Sequence, residues 1–368
     1  MARKTVLVAG ATGVSGLAAL EHFAALGDWN VLAVSRRRPD LAPGRWRHLA
    51  LDLTDAAACR AAAAEFAGVT HLVYAALFEK PGLAAGWRER DQMETNLAML
   101  RNLMEPLAAA ARGLRHASLL QGGKAYGMHL HPIPLPAKER WPRDPHENFY
   151  WLQEDYVREA AAGADWNWTI FRPQVIFGGA TGAAMNLIPV LGAYAAIRRE
   201  EGRPFSYPGG ASSICEAVDA RLLARAFAWA AEAQAARNET FNLTNGDVFV
   251  WRDLWPGLAR VLGVEAGPDE SFSLADYLAG RAEVWAAIVA REGLRPLPLP
   301  DLLGQSHHYA DILFAHGRPT PRQPLLVSTV KIRQAGFADC VDTEDMFRDW
   351  FALMAARRIL PGPAKALP

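Results

Sequence analysis

Apolar and polar positions along the chain fall into short strand-like runs separated by longer segments of helical length. The first run, Thr5–Ala9, ends at Gly10, and Leu17–Leu26 continues with an apolar pattern of helical type. Similar short runs cover Asn30–Ser35, His48–Leu53, His71–Ala76, His116–Gly122 and Trp168–Arg172, each bounded by turn-forming residues. Ala-rich segments such as Ala56–Phe66 and Met93–Ala111 lie between them. Strands that alternate with helices predict a parallel sheet with helices on both faces, because each parallel pair needs a crossover connection. A further strand is expected at Thr240–Thr244, after a long helix over Ala217–Ala236, and no internal repeat is visible.

Two regions depart from this rhythm. His129–Pro145 carries five prolines and joins the fifth strand to a helix expected to begin near Asn148. Arg295–Pro324 is also proline-rich and interrupts a C-terminal half that otherwise reads as helical. The helices after about Asp253 exceed what the sheet requires and predict a lid over a ligand. Met185–Ile197 is the most apolar later stretch, but it contains Pro189 and Gly192 and is too short for a bilayer span. It is expected to be a buried helix or a pocket wall.

The first turn carries the first chemistry. Gly10-Ala11-Thr12-Gly13-Val14-Ser15-Gly16 follows a strand and opens a helix. That context turns a weak glycine pattern into a phosphate cradle: Gly10 for the tight turn, Gly13 for close approach of a pyrophosphate, Gly16 for helix packing. Thr12 and Val14 fall within the same turn. The expected fold is therefore α/β, a Rossmann-type doubly wound parallel sheet with a smaller, mainly helical C-terminal capping region. Residues 1–182 and 211–252 are assigned to the dinucleotide-binding domain, and 183–210 with 253–368 to the substrate-capping region.

Formal net charge is zero over 368 residues, which gives no basic surface for nucleic acid or an anionic membrane. Arg36-Arg37-Arg38 is accordingly read as part of a site. Ser35-Arg36-Arg37 ends the second strand, where an acidic residue would bind a free ribose 2′-hydroxyl and arginine accommodates a 2′-phosphate. No carboxylate occurs until Asp40, so NADP(H) is expected over NAD(H). Asp52 and Leu53 suit the adenine edge, and Tyr74-Ala75-Ala76 leaves room for a cofactor crossing the sheet edge. Asn96 reads as either a buried anchor or a solvent-facing residue. The three cysteines are scattered without metal spacing, which predicts a reducing compartment and no disulfide framework. His307, His308 and His316 have no evident carboxylate partner, so no metal site is expected. Met93, Met99 and Met104 read as core. The opening apolar run is too short for a signal peptide, and a cytoplasmic location is expected. Apolar helix faces leave a homodimer open.

Leu120-Gln121-Gly122-Gly123-Lys124-Ala125-Tyr126-Gly127 leaves the fifth strand at its carboxyl end, where ligands bind in open α/β sheets. Asn148-Phe149-Tyr150-Trp151 lies downstream. A short-chain dehydrogenase would carry Tyr-x-x-x-Lys there, yet the residue four after Tyr150 is Glu154. Lys124 is the lysine that can supply the positive charge from another direction.

These residues resemble the progesterone 5β-reductase/iridoid synthase family, an extended, atypical branch of the short-chain dehydrogenases, with a bacterial member expected. The resemblance covers most of the chain. It includes the glycine turn, Arg36-Arg37, Lys124, the Asn-Phe-Tyr segment ending at Tyr150, and Phe171–Gly178. It continues through Met185-Asn186, Tyr194–Ile197, Phe241–Phe249 and Thr329–Phe337. Two departures from the plant members stand out. Trp151 replaces their second tyrosine, which points to Tyr150 as the functional one, and Leu77 replaces a tryptophan, which implies a smaller pocket wall.

The resemblance implies NADPH-dependent reduction of the C=C bond of a small enone or enal, with Tyr150 and Lys124 as catalytic residues. The backbone around Pro173 and Ile176 would hold the nicotinamide, and Leu77, Met185 and Asn186 would face substrate. Two other classes stay open: a non-catalytic NADP-binding redox regulator, and a nucleotide-sugar epimerase or dehydratase. The Lys124 and Tyr150 pair speaks against the first, and Arg36-Arg37 with Glu154 against the second.

Overall fold

The computed structural model describes residues 3–83, 86–321 and 323–363. The chain divides into two compact units. One comprises Met1–Gln174, Ala220–Thr244 and Val327–Asp339; the other comprises Val175–Asp219, Asn245–Leu326 and Cys340–Pro368.

Eleven strands occur among the described residues: β1 (Lys4–Ala9), β2 (Trp29–Ser35), β3 (Trp46–Ala50), β4 (His71–Tyr74), β5 (His116–Leu120), β6 (Asn167–Pro173), β7 (Val175–Phe177), β8 (Ile214–Cys215), β9 (Ala217–Asp219), β10 (Glu239–Leu243) and β11 (Phe249–Val250). The first unit is built on a seven-stranded sheet in the order β10-β6-β5-β4-β1-β2-β3, and every pairing in it is parallel. The order reverses between β1 and β4, so the crevice at the carboxyl ends of those strands is the natural ligand position. The helices of this unit are α1 (Val14–Ala25), α2 (Ala56–Ala61), α3 (Arg90–Ala110) and α4 (Phe149–Ala161), joined later by α6 (Ala220–Glu232) and α12 (Val330–Gln334).

Strand alternation explains why the strands are apolar throughout. Leu7, Ala9, Leu32, Val34, Leu72, Leu119 and Ile170 share one core with Leu100, Leu103 and Leu107 of α3 and Val157 of α4. The intervening Val6, Val8, Val31, Ala33, Val73 and Phe171 are buried as well, as expected where helices cover both faces. On that second side α1 packs against α6, and Phe227 of α6 meets Phe171 edge-on at 5.5 Å.

Some boundaries differ from expectation for local reasons. The segment expected as one helix over Ala217–Ala236 opens as β9, and α6 starts at Ala220. Ala217, Val218 and Asp219 are buried, and the Asp219 N–H donates to Asn245 Oδ1 at 2.6 Å. Parallel pairing with β7 and this bond to a residue distant in sequence hold the backbone extended in spite of alanine's helix propensity. The third strand ends at Ala50 and not at Leu53, because Asp52 starts a turn by accepting from Thr54 N at 2.9 Å and Thr54 Oγ1 at 2.8 Å. Ala56–Phe66 begins as α2 and tightens to a 3₁₀ helix from Ala62. The expected partition put 253–368 wholly in the capping region, whereas Val327–Asp339 belongs to the sheet-bearing unit. There α12 packs on β10, and Lys331 Nζ binds Glu239 at 2.6 Å and the Thr240 carbonyl at 2.8 Å.

In the second unit, Leu187–Arg198 of α5 (Leu187–Glu200) is buried, which bears out the expectation of a buried helix for Met185–Ile197. No helix among the described residues is long and apolar enough to cross a membrane. Around α5 lie α7 (Trp251–Leu262), α8 (Leu274–Ala279), α9 (Ala282–Glu292), α10 (Leu299–Leu303), α11 (Ser306–Leu313) and α13 (Thr343–Ala356). The proline-rich Arg295–Pro324 thus holds two short helices, α10 and α11. Tyr194 of α5 sits in an aromatic cluster in which Phe205 and Trp255 stack at 4.5 Å.

Candidate active site

The turn after β1 has the geometry of a phosphate cradle. Gly10 has φ +77°, and a Cβ there would lie 2.7 Å from the Ala75 carbonyl oxygen and the Ala76 nitrogen. A Cβ on Gly16 would run into the Gly10 carbonyl, whereas one on Gly13 would meet nothing closer than 3.4 Å. Gly10 and Gly16 are therefore fixed by the turn and the helix packing, and Gly13 leaves backbone open to a ligand. Gly13 caps α1 without any side-chain hydrogen bond, so the N–H groups of the first turn stay available for an anion. This cradle fits the pyrophosphate of a dinucleotide.

Along the adjoining strand ends, Ser35 is buried and donates to the Arg37 carbonyl at 2.7 Å, which shapes the loop. Arg36 and Arg37 are exposed, while Arg38 lies over the Trp46 ring at 4.9 Å. Thr54's hydrogen bonds hold the Asp52 carboxyl below its ordinary range, with Arg36 adding a smaller pull. Leu53 is buried. The Tyr74 ring is part of the core, with its hydroxyl buried and unpartnered, and burial pushes its pKa far up. Tyr74 therefore faces the core with its ring, and only its backbone remains for a cofactor. Ala75 is half-buried at the rim.

Tyr150 enters from the first turn of α4. Asn148 caps that helix by accepting from Tyr150 N at 3.1 Å, and the Tyr150 carbonyl accepts from Gln121 Nε2 at 3.3 Å. A Cβ on Gly122 would lie 3.3 Å from the Tyr150 hydroxyl. The absence of a side chain at 122 thus makes room for the phenol at the end of β5. Lys124 stands on the short 3₁₀ helix Gly123–Tyr126 that leaves the same strand. Its ammonium sits 3.9 Å from the centre of the Trp87 ring and 5.9 Å from that of Tyr150. Burial pulls the Lys124 pKa down to about 8, and the charge of Glu79 opposes that shift.

Glu154, one turn beyond Tyr150, is turned to a different task. Its Oε1 accepts from Arg143 at 3.0 Å and from Arg158 Nη2 at 2.9 Å. Its Oε2 accepts from Gln121 Nε2 at 2.8 Å, and Arg172 lies 3.8 Å away. Gln121 Oε1 in turn accepts from Arg172 Nε at 2.8 Å. Burial acts to raise the Glu154 carboxyl, but the Gln121 and Arg143 hydrogen bonds, helped by Arg158, outweigh it and hold the pKa low. The cluster locks α4 to β5 and β6.

Asn96 is a buried anchor: it accepts from Phe78 N and donates to the Phe78 carbonyl, both at 2.9 Å. This fixes the segment after β4, on which Leu77 is exposed. Pro173 ends β6 in the first unit; Ile176, Met185 and Asn186 belong to the second. Asn186 was expected to face substrate but is fully buried. It donates to the Gly178 and Ala180 carbonyls, both at 2.8 Å, and caps α5. Its amide is consumed by this structural role. Met93, Met99 and Met104 are buried, as expected. Among the described residues no group of His, Cys, Asp and Glu could hold a metal ion, and the three cysteines are free thiols. Sequence reasoning did not find Gly122, Trp87, Glu79 or the three arginines around Glu154. For the last of these, a carboxylate standing where a lysine is expected was the available signal.

The model of the NAD dependent epimerase/dehydratase family matches residues 6–244. The (S)-8-oxocitronellyl enol synthase of Antirrhinum majus is 31% identical, with 94% of this chain and 90% of that protein covered. The 3-oxo-Delta(4,5)-steroid 5-beta-reductase of Arabidopsis thaliana is 30% identical, with 96% of this chain and 92% of that protein covered. The chain belongs to the progesterone 5β-reductase/iridoid synthase-like family. As a member of that family it is an enzyme, an oxidoreductase with a nicotinamide-dinucleotide fold. A solved UDP-glucose 4-epimerase from Thermus thermophilus, in complex with NAD, superposes with a TM-score of 0.63 at 17% identity, covering 94% of this chain and 96% of that one. At that identity the likeness is one of fold.

Proposed function

We propose that this family member reduces the C=C bond of α,β-unsaturated carbonyl compounds, with NADP(H) as the nicotinamide cofactor. The observation that carries the reading is the placement of Lys124. Its ammonium lies beside the Tyr150 ring at the end of β5, while the helical position that would hold lysine in a Tyr-x-x-x-Lys enzyme is spent on the Glu154 cluster. The names of the relatives support the substrate class, since one is a reductase of a 3-oxo-Delta(4,5)-steroid.

A bound nicotinamide would supply the hydride that the β-carbon receives. The Gly10–Gly16 turn would hold the pyrophosphate, and exposed Arg36 and Arg37 would take the 2′-phosphate. As the β-carbon gains its new C–H bond, the π electrons move onto the carbonyl oxygen and an enolate forms. Tyr150 donates a hydrogen bond to that oxygen, and the charge on Lys124 makes the phenol a stronger donor. Such a preorganised donor contributes about 10²–10³ in rate. A solvent proton at the α-carbon completes the saturated carbonyl product. Leu77, exposed on the segment after β4, supplies an apolar wall.

The test is NADPH oxidation against a panel of small enones, enals and bulkier steroids, with a saturated ketone as control. Turnover of enones or enals, with the ketone inert, is the expected result. Turnover of the ketone alone overturns the C=C assignment. Tight NADPH binding with no oxidation of any member points to a redox regulator.

A further inference from the structure

We infer that Trp87 and Glu79 are positioning residues for Lys124: the Trp87 ring carries the ammonium on its face while Glu79 pins that ring and supplies the opposing charge. The inference deepens the reductase reading and rests on it for the role of Lys124.

The geometry runs as a chain of contacts within the first unit. Lys124 Nζ is 3.9 Å from the centre of the Trp87 ring. The indole N–H on the ring's edge donates to Glu79, at 3.1 Å from Oε2 and 3.3 Å from Oε1. Gln92 Nε2 donates to Glu79 Oε2 at 3.0 Å, and Gln92 Oε1 accepts from Lys80 N at 3.0 Å. Gln92 is buried on α3, one helical turn before Asn96, which clamps Phe78. The segment after β4 is thus fastened to α3 at two points, and Glu79 is held between them.

Each member has a physical reason to be there. An ammonium over an indole face is attracted by the ring quadrupole, and the attraction grows when water is excluded. A donor on the ring edge that is bound to a carboxylate fixes the plane of that ring. Among the described residues the Lys124 ammonium makes no hydrogen bond, so its three donors remain for a ligand. A part-buried ammonium in this condition tends to lose its proton. Glu79 is the nearby charge that opposes the loss, and burial raises its own pKa against the pull of Lys124, Gln92 and Trp87. The other titratable groups on this side are His129, which burial holds neutral with a pKa of about 4, and His146, Asp144 and Arg88 behind it. Tyr150 faces Lys124 from α4.

The experiment reads the ionisation of Lys124 directly. The full chain is acetylated with trace acetic anhydride across a pH series, and modification at Lys124 is quantified by mass spectrometry beside enone turnover. Glu79→Gln keeps the hydrogen-bonding shape and removes the charge. Its labelling midpoint is expected to move to lower pH by roughly one unit, and the alkaline limb of turnover should move with it. Glu79→Asp should restore most of the wild-type midpoint, and Trp87→Phe should give a smaller shift in the same direction. NADPH affinity near wild type shows that each variant is folded. An unmoved midpoint in Glu79→Gln, even with reduced turnover, overturns the inference. If the wild-type protein reduces no enone, the reductase reading fails, and the labelling midpoint still decides whether Glu79 and Trp87 govern Lys124.

Discussion

Two charges, one buried and one part-buried, lie at the carboxyl end of β5, and the protein treats them in opposite ways. Glu154 has both oxygens engaged by Gln121, Arg143 and Arg158, with Arg172 close by. Lys124 has aromatic faces around it and one carboxylate acting on it, but no hydrogen bond to its ammonium among the described residues. The surroundings favour the charged form of the first and disfavour that of the second. A buried charge whose partners are complete is part of the scaffold, whereas one left with open donors is completed by a ligand. The residue type expected one turn after Tyr150 has been exchanged for a clamp, and the working cation comes from the strand end.

The largest effect should come from breaking the satisfied charge. Glu154→Gln leaves Arg172, itself buried, without a compensating carboxylate, and should cost about 3 kcal/mol of stability. Thermal unfolding checks this, and turnover per folded molecule should stay near wild type. The sign with pH follows from the depressed carboxyl. Its contribution is present above the unfolded-state value and is lost as pH falls through the lower folded-state value, so the variant's stability should depend less on acid pH. A loss of turnover without a loss of stability would reverse the roles assigned to the two charges.

Tyr150→Phe probes the other side. It should lower turnover about 10²-fold and move neither thermal stability nor NADPH affinity appreciably. The hydroxyl lies over Gly122, so its removal leaves only a small gap. Steady-state kinetics beside a cofactor-binding titration separates this outcome from a general loss of structure.

How far the sequence revealed each region follows from the range of the interactions. The sheet was legible because β1, β2 and β4 to β6 are short apolar runs bounded by turns. The glycine turn was legible because sterics at Gly10 and Gly16 act within a few residues. Lys124 and Tyr150 were found through a family pattern, with their mutual position unknown. The partners of Glu154 come from residues 121, 143, 158 and 172, which no local spacing brings together. The same holds for Glu79, Trp87 and Lys124. Asn186 misled for a different reason: a polar residue before an apolar helix suits a helix cap and a substrate contact equally well. At Tyr74 strand alternation turns the ring into the core and leaves the backbone for the cofactor expected there.

The contrast between open and satisfied charges recurs beside the cofactor turn on a smaller scale. Arg38 and Arg47 are occupied, one over Trp46 at 4.9 Å and the other with Glu65 at 2.7 Å, while Arg36 and Arg37 point into solvent. Replacing both Arg36 and Arg37 by alanine should weaken NADPH binding about tenfold or more and leave NADH binding nearly unchanged. Equal losses for the two cofactors would remove the 2′-phosphate role.

The smallest effect is the pH response of the wild-type enzyme, and it tests the open charge without any substitution. Lys124 supports the phenol only while protonated, and burial has brought its pKa down to about 8. Turnover should be level on the neutral side of that value, fall by about half where pH equals it, and then drop roughly tenfold per pH unit for a single ionisation. An ordinary lysine would keep turnover level to far more alkaline pH. Glu154 cannot imitate this limb, because its carboxyl is ionised throughout the range and its contribution changes only in acid. An alkaline limb near 8 that persists in Lys124→Met would assign it to another group. Its disappearance together with most of the rate ties the limb to the Lys124 ammonium, whose donors remain open at the end of β5.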